Sequence, residues 1–208
     1  MSTTAMTRGS RLLVGLVLLV LAAAGGALGH IVVRGVSARD EPTFVEAFMA
    51  RRMRSLAIPR DLRARGNPVS PTPEALSSAR AHFADHCASC HGNDGRGQTT
   101  LGRNMYPKAP DMTLPETQRL SDGELFAIIE NGVRLTGMPA WGSSGPEDGA
   151  ETWELVHFIR HLPSITPEEL DEMKELNPKT KKELEEEEAI RRFLGGEAPP
   201  PEAGSHEH

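Results

Sequence analysis

Cys87-Ala-Ser-Cys90-His91 constrains this chain more than any other segment, because it holds the only two cysteines in 208 residues and sets a histidine directly after them. At this spacing both sulfurs can add to the two vinyl groups on one edge of a haem, which leaves the histidine beneath the ring as an iron ligand. Other chemistries also use paired cysteines. A redox dithiol of the thioredoxin kind belongs at a strand-to-helix junction, but Pro73 to His86 reads as a helix and no β-rich run precedes Cys87. A structural zinc site takes four Cys or His ligands. Cys87, Cys90 and His91 supply three, and one of the seven other histidines would have to be the fourth. A disulfide closing so small a loop stabilises little. Covalent haem is the expected chemistry.

Composition agrees with a cofactor that does part of a core's work. Only 4% of the residues are aromatic, so side chains alone fill a large core poorly. Charge is distributed in blocks: residues 1–67 carry a net +6, residues 68–163 a net −5 and residues 164–208 a net −7. The mildly acidic block around the cysteines argues against nucleic acid as a partner. It suits docking to a basic patch on a redox partner.

Residues 1–33 read as a signal peptide or membrane anchor. Arg8 and Arg11 precede an apolar run from Leu12 to Leu28 that Ile31 to Val33 extend. The run is longer than an ordinary signal-peptide core and close to a membrane span, so 12–33 is expected to anchor the chain on the periplasmic side of a bacterial inner membrane. Cleavage after Ala22–Ala27 would instead leave a soluble periplasmic protein. Arg34, Arg39, Arg51, Arg52 and Arg54 follow the run and put positive charge on the expected outer side, against the usual bias.

Residues 34–71 read as a linker with one short amphipathic helix over Pro42 to Leu56, where Phe44, Val45, Phe48, Met49, Met53 and Leu56 recur at helical spacing. This helix either packs on the following domain or lies on a membrane or partner. Pro59, Gly66, Pro68, Pro71 and Pro73 make the rest extended.

A compact all-α domain is expected over 72–163. Thr72 and Pro73 start a helix whose Leu76, Ala79, Phe83 and Cys87 share a face. A glycine-rich loop follows His91. Ser121 and Glu124 form a capping box, with Leu120 and Leu125 as its staple, and Asn131-Gly132 ends that helix. The last helix is expected from about Pro146 to Leu162. An iron held by His91 then needs a sixth ligand. Met138 is the expected one, because it sits in the irregular loop Gly137-Met-Pro-Ala140 between two helices, where a core role is poorly explained. Met105 and Met112 are placed at the ring edge, and His157 and His161 are expected to be solvated or to cap the last helix.

Phe83, Cys87-Ala-Ser-Cys90-His91-Gly92, Gly95-Arg-Gly97, Pro110, Ser121-Asp-Gly-Glu124-Leu125, Asn131-Gly132 and Gly137-Met138-Pro139-Ala140 together resemble the class I cytochrome c fold. The resemblance is closest to small bacterial monohaem domains and covers 72–163. It implies thioethers at Cys87 and Cys90, axial ligation by His91 and Met138, and Phe83 and Phe158 where the first and last helices cross. It also implies a Pro110 carbonyl near the His91 ring and Trp141 over a haem edge or propionate. Arg134 departs from the small residue expected before the methionine. The function implied is one-electron transfer by one covalent haem c, as a tethered or soluble carrier and not as an enzyme. A sensor or catalytic haem with a labile sixth ligand, or a fixed subunit of a larger oxidoreductase, are the alternatives. Residues 164–208 read as a charged acidic tail, partly helical or disordered, with one turn at Leu170, Met173 and Leu176 able to pack on the domain. His206 and His208 could collect metal weakly.

Overall fold

The computed structural model describes residues 7–35, 37–142 and 149–195, and among them the secondary structure is entirely helical. Pro146, the expected start of the last helix, and the terminal stretch Glu197 to His208 lie outside the described residues.

Helix α1, Arg8–Arg34, is apolar and exposed along its length, and its Arg8–Val33 stretch is long enough to cross a membrane. Helix α2, Phe44–Ala57, is closed at its start by a capping box between Thr43 and Glu46 and buries no residue. A single turn, α3 (Arg60–Arg63), follows.

The domain is organised around one helix crossing. Thr72 caps α4 (Pro73–His82) with Pro73 in its first turn. The helix runs on through a π-turn, Phe83–Cys87, into α5 (Ala88–His91). Helix α9, Ala150–His161, packs along α4, and the Phe83 and Phe158 rings meet at the crossing with centroids 5.1 Å apart and planes tilted by 55°. Both are 1% exposed. Tilted aromatic pairs of this kind add about 1 kcal/mol beyond the area they bury. Trp153, Leu155, Val156, Ile159 and Leu162 fill the same core with Ala79, Ala84 and Ala88.

Helix α8, Asp122–Asn131, begins at the Ser121–Glu124 capping box and stops at Gly132, as its sequence signals read. It brings Leu125 and Ile129 to the core. Arg160 of α9 fixes its start by donating to Asp122 Oδ1 from Nε (3.0 Å) and Nη2 (2.8 Å), and to the Gln118 carbonyl from Nη1 (2.7 Å). Between α5 and α8 lie two further single turns, α6 (Thr100–Arg103) and α7 (Pro115–Gln118).

Packing continues beyond 72–163 on both sides. Upstream, Asn67 Nδ2 donates to the Trp153 carbonyl (2.7 Å), His157 Nε2 donates to the Val69 carbonyl (2.7 Å) and Ser121 Oγ donates to the Arg63 carbonyl (2.7 Å). Gly123 admits this strap, since a Cβ there would collide with the Leu62 carbonyl. His157, expected to be solvated or a cap, is a strap anchor. Downstream, the Thr166–Glu169 capping box opens α10, Pro167–Leu176, whose Met173 is fully buried. Arg80 bridges Glu169 (3.0 Å) and Glu172 (2.6 Å), and His161 Nε2 donates to Glu169 (2.9 Å). Helix α11, Lys181–Leu194, carries surface ion pairs at i,i+4.

Met173→Ala should cost about 2–4 kcal/mol, as for a buried methionine, and lower the thermal midpoint of the domain. An unchanged midpoint would mean that α10 does not pack. A second expectation concerns acid. Burial pushes the Glu169 carboxyl up, but the hydrogen bonds from His161 and the Thr166 backbone outweigh it and hold the pKa below its ordinary 4.5. The stability this group confers is present above 4.5 and is lost as pH falls through the lower folded value. Glu169→Gln should flatten that part of a stability–pH curve, followed by circular dichroism.

Candidate haem site

Both thiols and the imidazole come from a single helical end. Cys87 closes the π-turn, and Cys90 and His91 lie in the last turn, which Gly92 ends at φ 73°. The cysteines are unpaired and half-buried, so the disulfide alternative is not realised. Among the described residues no group of three or more His, Cys, Asp or Glu is gathered to hold a metal, so the zinc alternative lacks its ligands. Burial, with Cys90 adding to it, pushes the Cys87 thiol up to about 12, far from the depressed values of a redox dithiol.

The His91 ring is 9% exposed, and burial pushes its pKa down to about 4 while the Pro110 carbonyl opposes the shift. The imidazole is therefore neutral near pH 7, with a lone pair free for a metal. Its Nδ1 is buried and makes no hydrogen bond of regular geometry. A neutral, incompletely satisfied imidazole beside two free thiols fits a covalently attached haem.

The loop after His91 folds tightly beneath it. Gly97 N donates to the His91 carbonyl (2.7 Å), Met112 N to the Gly95 carbonyl (2.8 Å) and Ala109 N to the Gly102 carbonyl (3.0 Å). A Cβ at Gly97 would run into the Ala109 carbonyl, and one at Gly102 into the Cys90 carbonyl. These contacts bring Pro110 to the imidazole. Met112, expected at the ring edge, is buried in the helical core.

Met138 lies half-buried in a closed loop between α8 and α9. Val133 N donates to the Met138 carbonyl (3.0 Å), Met138 N donates to Thr136 Oγ1 (3.1 Å), and Trp141 N returns to the Ile129 carbonyl (3.0 Å). Gly132 sits against the Pro139–Ala140 peptide so closely that a Cβ would lie 2.5 Å from the Pro139 carbonyl carbon. Leu135 takes φ 63°, an uncommon value for a residue other than glycine, at the exposed tip. Met105 reaches the same loop, where its sulfur packs against Gly137. Phe83 stands at the helix crossing. Trp141 is half-exposed and lies 5.4 Å from the His86 ring, which lies 4.8 Å from His82. That ladder joins the attachment helix to the methionine loop; the sequence offered only His82 and His86 at i,i+4 as a signal of it. Arg134 is exposed.

Residues 74–159 match the family model described as cytochrome C oxidase, cbb3-type, subunit III. This segment is a c-type cytochrome domain. It binds haem and carries electrons, as a carrier or as a subunit, and is not itself an enzyme. A solved chain of the reducing HAO-like protein complex of Kuenenia stuttgartiensis is also similar, with 22% identity and a TM-score of 0.41 over 46% of each chain. The protein spans about half the length of that chain.

Gly132→Ala should unseat the methionine loop of the cytochrome domain, since the added Cβ meets backbone and φ is 62°. A loss of about 1–3 kcal/mol is expected in chemical denaturation. A variant as stable as the parent would show that the loop can yield there.

Proposed function

We propose that the protein is a membrane-tethered one-electron carrier on the periplasmic side of a bacterial inner membrane, with one covalent haem c held by Cys87, Cys90, His91 and Met138. The observation that carries this reading is the buried, neutral His91 imidazole on the same helical end as two free thiols. Bound haem supplies an Fe(III)/Fe(II) couple. Cys87 and Cys90 fix its position relative to the helix crossing. The Pro110 carbonyl beside the His91 ring would accept its N–H and orient it, which makes the ligand more basic. Met138 offers a soft thioether, which favours the ferrous state and raises the potential. The turn built on Gly132 and Thr136 holds Met138 in place, which keeps rearrangement between oxidation states small. Trp141, its ring tilted against His86, would shield the edge of the site beside that loop.

The net charge of −5 over residues 68–163 suits a basic docking patch on a redox partner. Helix α1, kept as an anchor, would confine the domain near membrane complexes and raise its effective concentration there. The family description, which names an oxidase subunit, favours a second reading as a fixed subunit of a larger complex. Purification from native membranes in mild detergent separates the two: a carrier comes away alone, a subunit with a stoichiometric partner.

The carrier reading is tested by absorption spectra of the protein matured in a host with haem-attachment machinery. Low-spin c-type bands, a methionine–iron charge-transfer band and indifference of the reduced form to carbon monoxide are expected. Met138→Ala should lose the charge-transfer band, bind carbon monoxide and shift the potential downward. An unchanged spectrum in that variant would remove Met138 from the ligand set.

A further inference from the structure

Helix α2 has its two sides turned in different directions. At about 100° per residue, Ala47, Arg54 and Ile58 fall on one edge, and these are half-buried or buried. Just before the helix, Glu41 pairs with Lys108 of the domain. The rest of the circumference carries Phe44, Val45, Phe48, Met49, Met53 and Leu56, with Arg52 among them, and Phe44 is 79% and Leu56 82% exposed. A helix that presents six large apolar side chains away from its own domain has a partner elsewhere.

We infer that this arc lies on the surface of the bilayer that α1 crosses, and that α2 serves as a second, interfacial foot holding the cytochrome domain against the membrane. The inference rests on the anchor reading of α1. Nine residues separate the end of α1 from the start of α2, a tether of at most about 30 Å. The arc thus begins within reach of the bilayer surface on the side where α1 emerges. Charge agrees with a lipid occupant. Arg51, Arg52, Arg60 and Arg65 are exposed within fifteen residues in which Asp61 is the only acid, which suits anionic headgroups. Arg52 lies over the Phe48 ring, 5.4 Å from its centroid, so a cation and an apolar face are presented together, as at a headgroup boundary. The lipid contact also accounts for the positive charge that follows α1 on the wrong side for the usual bias: those arginines serve headgroups of the outer leaflet. Because the Glu41–Lys108 pair ties the start of α2 to the 106–108 loop, the domain's orientation above the bilayer follows from the helix.

The test uses the full haem-loaded chain in nanodiscs of phosphatidylethanolamine with phosphatidylglycerol. Phe48 and, in a separate variant, Leu56 are replaced by p-benzoylphenylalanine, the discs are irradiated and the adducts are read by mass spectrometry. Lipid adducts at both positions, reduced severalfold when phosphatidylglycerol is replaced by phosphatidylcholine, are expected. Adducts at Ala47, in a third variant, should be to the chain's own domain. Chains that stay in the discs yet give only protein adducts at 48 and 56, to the same chain or to a second copy, overturn the interfacial foot while leaving the anchor in place. Chains recovered outside the discs, with a mass that lacks α1, overturn both.

Discussion

The contact between Phe83 and Phe158 is what the rest of the cytochrome domain is built upon. It fixes α4 against α9, and every part of the site is referred to one of those two helices. The π-turn and the Cys87–His91 end continue α4. The methionine loop leads into α9, and Arg160 of α9 sets where α8 begins. With so few aromatic residues in the chain, concentrating two of them at the crossing gives rigidity where the attachment end leaves the core.

Legibility in the sequence followed the range of the forces involved. Local signals were readable: Thr72-Pro73, Ser121 with Glu124, Asn131-Gly132 and Thr166 each mark a helix boundary through hydrogen bonds that close within a few residues. The attachment motif and its loop were readable because their chemistry depends on spacing. Long-range hydrogen bonding was not. Nothing near Asn67 or Val69 signals that they meet α9, and His157 looks like any surface histidine until the strap is placed over it. The tight approach of Gly132 to Pro139 is also invisible locally, since a helix-stopping glycine and a glycine required for packing read alike. The core position of Met112 is invisible for a related reason: a methionine in a glycine-rich loop carries no periodicity to mark it as core.

The structure divides its polar work by location. Inside the domain, Arg160 and the Arg80–Glu169–His161 cluster tie segments distant in sequence. On α11, the lysine–glutamate pairs are solvated and local, and they confer solubility more than structure.

The π-turn has a consequence for how this helix can change over time. A π-turn holds one residue more than an α-turn, and here that surplus falls between Phe83, which is locked in the core, and the Cys87–His91 motif. Losing one residue from the stretch would restore a regular helix and swing Cys87, Cys90 and His91 by about 100° around its axis. The length of this turn is therefore held fixed more strictly than its composition: substitutions at Asp85 or His86, both exposed, leave the register intact, whereas a single-residue indel erases it.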